Sequence, residues 1–257
     1  MSNMTGKWIP SSINNKIHIT KYWLAGFIDG DATFSTNKVI PRFKLENHIK
    51  ELELYNKINE YLQIGKVLYT SDRSEKIGRS NGSPTIILEI NKIKDLKFNL
   101  IPLMYENNSI ILKSSKVKDF LLWIKLVDIY YQGYHLTVEG KYLFEAIKLH
   151  MNKYRLSTNE NLLKDKTRIS LKEINVLQKK LYLLESPYEI KNSIRFIRNT
   201  DNLVSEGTQI VVIDEKNSRE TYNSLTECSK NLKIDRSTIK KYLMTGKIFK
   251  GYTFVLE

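Results

Sequence analysis

Two carboxylates stand at the end of an apolar run near the start of the chain, Leu24-Ala25-Gly26-Phe27-Ile28-Asp29-Gly30-Asp31-Ala32. Thr20 can cap a helix beginning at Lys21, and the apolar residues from Tyr22 to Gly30 go all round it, as in a helix buried on most sides. Asp29 and Asp31 then sit at the helix C-terminus, where the macrodipole disfavours anions unless something positive compensates, and a divalent cation bound through oxygen would do so. Gly26 and Gly30 lie four apart on one face, so a second helix backbone can come close; the same helix of another copy is the obvious partner. Asp31 of each copy would then meet near a two-fold axis, where two metals can activate water and stabilise the leaving 3′ oxygen of a phosphodiester. A glycine pair taken alone more often marks a buried helix ending in a solvated acidic turn.

The nine residues Leu24 to Ala32 resemble the motif that names the LAGLIDADG homing endonucleases, with Phe27 and Gly30 as common variants and Ala32 replacing the final glycine. The resemblance extends over about the first 150 residues. It implies an α+β class αββαββα fold with a four-stranded antiparallel DNA-binding sheet, and an enzyme making metal-dependent double-strand breaks at a long DNA site. It further implies Asp31 as metal ligand, Gly30 as a carbonyl donor to the same Mg²⁺ or Mn²⁺, and a helix-packing face of Leu24, Ala25, Gly26, Asp29 and Gly30, with Asp29 the more structural carboxylate. Asn47 resembles the family's solvent-organising polar position. Lys113 and Lys116, after Ile110-Ile111-Leu112, resemble the place of its active-site lysine, and the sequence leaves the choice between them open. With one motif evident, the implied enzyme is a homodimer. The alternative on the same scaffold is an intron maturase, acting on its own intron RNA, or a non-cleaving DNA-binding regulator.

The composition agrees with a polyanionic partner. Lys and Arg outnumber Asp and Glu by 41 to 28, a formal charge of +13, which favours double-stranded DNA first and an anionic membrane surface second. No run approaches the roughly 18 apolar residues of a membrane span, and the first residues lack a signal peptide's apolar core, so no membrane partner and an intracellular location are expected. Cys228 is the single cysteine and the four histidines are scattered, which excludes an internal disulfide and a cysteine-rich zinc site. The abundance of Asn, Lys, Ile and Tyr suits an A+T-rich coding genome such as a fungal mitochondrion.

The elements that must position these residues follow from periodicity. After the first helix come strands at 33–35 and 42–46, a helix over 50–62 stopped by Gly65, strands at 66–70 and 85–91 around a polar loop at 71–83, and helices at 95–104, 115–130 and after Thr137. Parity places Arg42, Lys44, Lys66, Thr70, Thr85 and Glu89 on the sheet's outer face, free to meet a major groove, as any half-solvated sheet would also present. Residues 1–153 form the expected endonuclease domain and 154–207 a basic connector with a helix near 171–184. Residues 208–257 resemble the modular helix-turn-helix DNA-binding domain often appended to homing nucleases: a strand, a helix capped by Ser224, a second helix presenting Arg236, Ser237, Thr238, Lys240 and Lys241, and a closing strand.

Overall fold

A computed structural model describes residues 18–70, 84–152, 168–191, 194–200, 204, 210–222 and 224–256. The loop expected at 71–83 and the first part of the connector, 154–167, lie outside the described residues. The chain divides into two compact units, residues 1–130 with 143–174, and residues 131–142 with 175–257.

In the first unit, helix α1 (Lys21–Asp31) starts as the sequence predicts, with the Thr20 hydroxyl accepting from the Trp23 N–H. It passes directly into β1 (Ala32–Asn37), which pairs antiparallel with β2 (Ile40–His48). A 3₁₀ turn (Ile49–Glu51) leads into α2 (Leu52–Leu62), followed by β3 (Lys66–Thr70) and β4 (Thr85–Ile90). The four strands form one antiparallel sheet in the order β1-β2-β4-β3, two hairpins joined through β2 and β4. This is the antiparallel α+β arrangement anticipated from the sequence.

Alternation does the work of layering. Phe34, Phe43, Leu45, Ile86, Leu88 and Ile90 point to one face and are buried with Leu24 and Ile28 of α1 and Tyr55 and Ile58 of α2. Phe34 packs its ring about 5–6 Å from those of Phe43, Phe120 and Trp123, the last two on α3 (Lys116–Tyr131). Between β4 and α3 the chain makes a π-helical turn (Asp95–Leu100) continued as a short helix (Ile101–Leu103), then the hairpin of β5 (Tyr105–Glu106) and β6 (Ser109–Ile110). Helix α4 (Val138–Lys148) starts where Thr137 caps it, its hydroxyl accepting from the Gly140 N–H.

The second unit holds most of α5 (Leu171–Leu181) and a hairpin of β7 (Tyr188–Lys191) and β8 (Ile194–Ile197) within the segment read from sequence as a connector. Arg195 lies over the rings of Tyr131 and Tyr188, at 4.3 and 4.9 Å from their centroids. Toward the end of the chain, β9 (Ile210–Ile213) is flanked by β10 (Arg219–Tyr222) and β11 (Thr253–Leu256), with α6 (Leu225–Leu232) and α7 (Arg236–Thr245) closing a small core of Ile210, Val212, Tyr222, Cys228, Ile234, Ile239, Leu243 and Phe254.

Candidate active site

The C-terminus of α1 meets the N-terminus of α3, and both ends are satisfied by the other's groups. The Asp29 carboxylate accepts from the backbone N–H groups of Lys113 (2.6 Å) and Ser114 (2.9 Å) and from the Ser114 hydroxyl (2.7 Å). Burial raises the Asp29 pKa, but these three bonds and the nearby Lys116 charge outweigh it, and the carboxyl is held below its ordinary value. In the opposite sense, the Lys116 ammonium donates to the carbonyls of Gly30 (2.9 Å) and Ile28 (3.1 Å), the negative end of the α1 dipole. Burial lowers the Lys116 pKa by more than Asp29, Asp31 and Asp119 raise it.

Asp31 itself is exposed. It precedes Ala32, whose β2 partner is Leu45, so Glu46 is its neighbour across the start of the hairpin. Tyr55 is fully buried, its hydroxyl has no hydrogen-bond partner among the described residues, and its pKa is raised by burial first and then by Asp31, Glu46 and Glu51. Glu46 and Tyr55 were not singled out by the sequence; the Asp31-to-Ala32 step into β1 is the signal that would have found Glu46, because register then follows from the hairpin.

The two candidate lysines differ in geometry. Lys116 reaches the end of α1 with its side chain, whereas Lys113 is exposed and contributes its backbone N–H to Asp29. Asn47 is half-buried at the end of β2, opposite Ile86 on the inner face, and its side-chain oxygen accepts from the His48 N–H.

The residues of the expected helix-packing face divide between two sides of α1. Leu24 and Ala25 are buried in the chain's own core, at 0% and 4% exposure. Asp29 is engaged by residues 113 and 114. The reason is helical phase: Leu24, Ala25 and Ile28 share the inward side, leaving Tyr22, Trp23, Gly26 and Gly30 outward. A Cβ added at Gly26 or Gly30 would meet nothing within 4 Å.

On the sheet, Lys44 and Lys66 both stand opposite Glu89, and Arg42 pairs with the same carboxylate at 3.5 Å while its Nε donates to Ser35 Oγ. Lys44 also pairs with Glu46, whose other oxygen accepts from the Thr85 hydroxyl at 3.2 Å. The outward set is therefore one charged array, with Thr33, Glu46 and His48 added by register to the residues read from sequence. Of Thr70 only the backbone is described; it pairs with Thr85. In the C-terminal module, Ile239 and Leu243 are buried, which turns Arg236, Ser237 and Lys241 to solvent and leaves Thr238 and Lys240 half-buried beside them. Among the described residues no helix is long and apolar enough to cross a membrane.

Residues 24–127 match the family model described as LAGLIDADG endonuclease. Over 246 residues the chain is 26% identical to the uncharacterized mitochondrial protein RF1 of Saccharomyces cerevisiae, covering 89% of this chain and 50% of that protein. Over 136 residues it is 26% identical to the probable intron-encoded endonuclease 3 of Neurospora crassa, covering 49% of this chain and 23% of that protein. The chain thus spans no more than half the length of either curated relative. A solved structure, the I-SmaMI LAGLIDADG homing endonuclease bound to cleaved DNA, aligns with 29% identity and a TM-score of 0.46 over 56% of this chain and 47% of that one.

Proposed function

We propose, from the match of residues 24–127 to the LAGLIDADG endonuclease family model, that the chain is a homing endonuclease that makes metal-dependent double-strand breaks in DNA at a long site. The observation that carries this reading is the end of α1, where an exposed Asp31 adjoins backbone carbonyls that already hold a cationic group, Lys116.

LAGLIDADG endonucleases use divalent metal ions, and the donor set here suits one. Among the described residues no cluster of three or more His, Cys, Asp or Glu side chains forms a closed cage. Asp31 and the Gly30 carbonyl are hard oxygen donors of the kind that would hold Mg²⁺ or Mn²⁺. When bound, such an ion lowers the pKa of a water and stabilises the leaving 3′ oxygen. The chain's own residues would do the rest: Asp31 would hold the ion, Asp29 holds the start of α3 so that Lys116 faces the same place, and the Lys116 ammonium would neutralise charge at the phosphorus. Asn47 orders solvent at the end of β2.

Two copies joined through the open glycine face of α1 would supply Asp31 twice and cut a roughly palindromic site. The outer sheet face, through Arg42, Lys44, Lys66, Thr70, Thr85 and Glu89, reads the major groove, and the module from residue 208 adds contacts through Arg236, Ser237, Thr238, Lys240 and Lys241. Residues 1–153 then form the nuclease domain and 154–207 connect it to the module. A mitochondrial setting accords with the RF1 relative.

The deciding experiment incubates the protein with Mg²⁺ and a pool of long duplexes and sequences new ends. Discrete double-strand cuts that vanish with EDTA are expected; binding without cuts would favour the maturase or regulator instead.

A further inference from the structure

We propose that Lys116 is a tethered cation that occupies the divalent-ion position at the end of α1, and that its ammonium must leave the Gly30 carbonyl before a metal binds there. Lys116 thereby sets the metal affinity of the free protein. The proposal rests on the endonuclease reading above.

The argument begins with one oxygen. The Gly30 carbonyl accepts from Lys116 Nζ at 2.9 Å, and the same ammonium reaches the Ile28 carbonyl at 3.1 Å. Ile28 O also accepts the Ala32 N–H, which closes the helix, so Gly30 O is the better placed of the two for a further ligand. A divalent ion binds oxygen at roughly 2.0–2.6 Å, which would bring it into close approach with the ammonium on a shared atom. Two cations so placed repel each other, and the one with the weaker hold moves.

That weaker hold belongs to Lys116. The contacts made by Nζ to the end of α1 are with neutral carbonyls, whereas a divalent ion there would also be held by the Asp31 carboxylate. The lysine stem is flexible, while its base is fixed: Lys116 is the first residue of α3, and Asp29 pins the two residues 113 and 114 just before it. A displaced ammonium therefore stays within a stem's length of the site. A DNA phosphate arriving there would give it a new partner, so DNA and metal would each strengthen the binding of the other.

The test is direct counting of bound Mn²⁺ by electron paramagnetic resonance on the full chain without DNA. Lys116→Met is expected to bind Mn²⁺ about tenfold more tightly than the wild type, Lys116→Arg not to, and Asp31→Asn to lose the ion. Alongside it, mass spectrometry of amine acetylation on the wild-type protein should show Lys116 labelling rise as Mn²⁺ is added. Unchanged or weaker binding by Lys116→Met, with Asp31→Asn still abolishing it, would overturn displacement and leave the endonuclease reading standing. Retained binding in Asp31→Asn would instead remove the metal site on which both depend. If Lys116→Met does not fold, the labelling decides: a flat Lys116 signal across the titration overturns the proposal.

Discussion

The Asp29 carboxylate takes both the backbone N–H and the hydroxyl of Ser114, at 2.9 and 2.7 Å, and that hydroxyl in turn accepts from the Lys116 N–H at 3.1 Å. One acidic residue of the pair at the end of α1 is thus committed to starting α3, which leaves the other, Asp31, open for chemistry.

Removing this clamp should cost stability. Asp29→Ala leaves the Lys113 and Ser114 donors unpaired and is expected to destabilise the fold by roughly 1–3 kcal/mol, toward the lower end because water can reach the site. Thermal unfolding measures it. The pH dependence carries a sign: the Asp29 pKa is depressed below its ordinary 3.8, so its contribution is present above that value and disappears as pH falls through the lower folded-state value. Asp29→Asn should therefore flatten the acid limb of the stability curve, and an unaltered limb would show that the clamp contributes nothing.

Asp31→Asn should abolish cleavage while leaving DNA affinity within about threefold. Gel-shift and cleavage assays on the same preparation separate the two effects, and retained turnover with saturating metal would remove Asp31 from the mechanism.

Two glycines make a contrasting pair. Gly65 sits at φ +83°, and a Cβ there would lie 2.6 Å from Ile90 Cγ1 and 2.8 Å from the Glu89 carbonyl, so Gly65→Ala should lower the melting temperature. Gly26→Leu meets nothing within the chain and should fold normally at low concentration, yet remain monomeric in sedimentation and inactive. A Gly26→Leu dimer with wild-type activity would rule out this face as the joint.

Deleting residues 208–257 should weaken DNA binding and reduce the slope of log affinity against log salt, since Arg236, Lys240 and Lys241 go with it. An unchanged slope would mean that the module does not touch phosphate.

Legibility in the sequence tracked the strength of local signals. The strands of the four-stranded sheet and the boundaries of α1 and α3 follow from alternation and capping, and the outward row from parity. The β5–β6 hairpin does not, although its turn is written plainly: Asn107 and Asn108 both adopt positive φ, +48° and +63°, as the favoured two-residue turn requires. Strands of two residues are too short to alternate, so the turn had no flanking pattern to support it. The β7–β8 hairpin was hidden by a polar, basic composition that reads as linker. At the site, the motif announced its carboxylates, but which lysine faces them depends on where α3 begins, and which motif residues face inward depends on helical phase within a helix apolar on nearly every side.

The first strand of the sheet has a further bearing on how the protein behaves in a crowded solution. Two successive carbonyls of β1 are taken by side chains from later in the chain, Phe34 O by Asn152 Nδ2 at 2.8 Å and Ser35 O by Trp123 Nε1 at 3.2 Å. Successive strand carbonyls point to opposite sides, so at least one of these plugs lies on the rim away from β2. Strand-by-strand accretion of another polypeptide is thereby obstructed at that border.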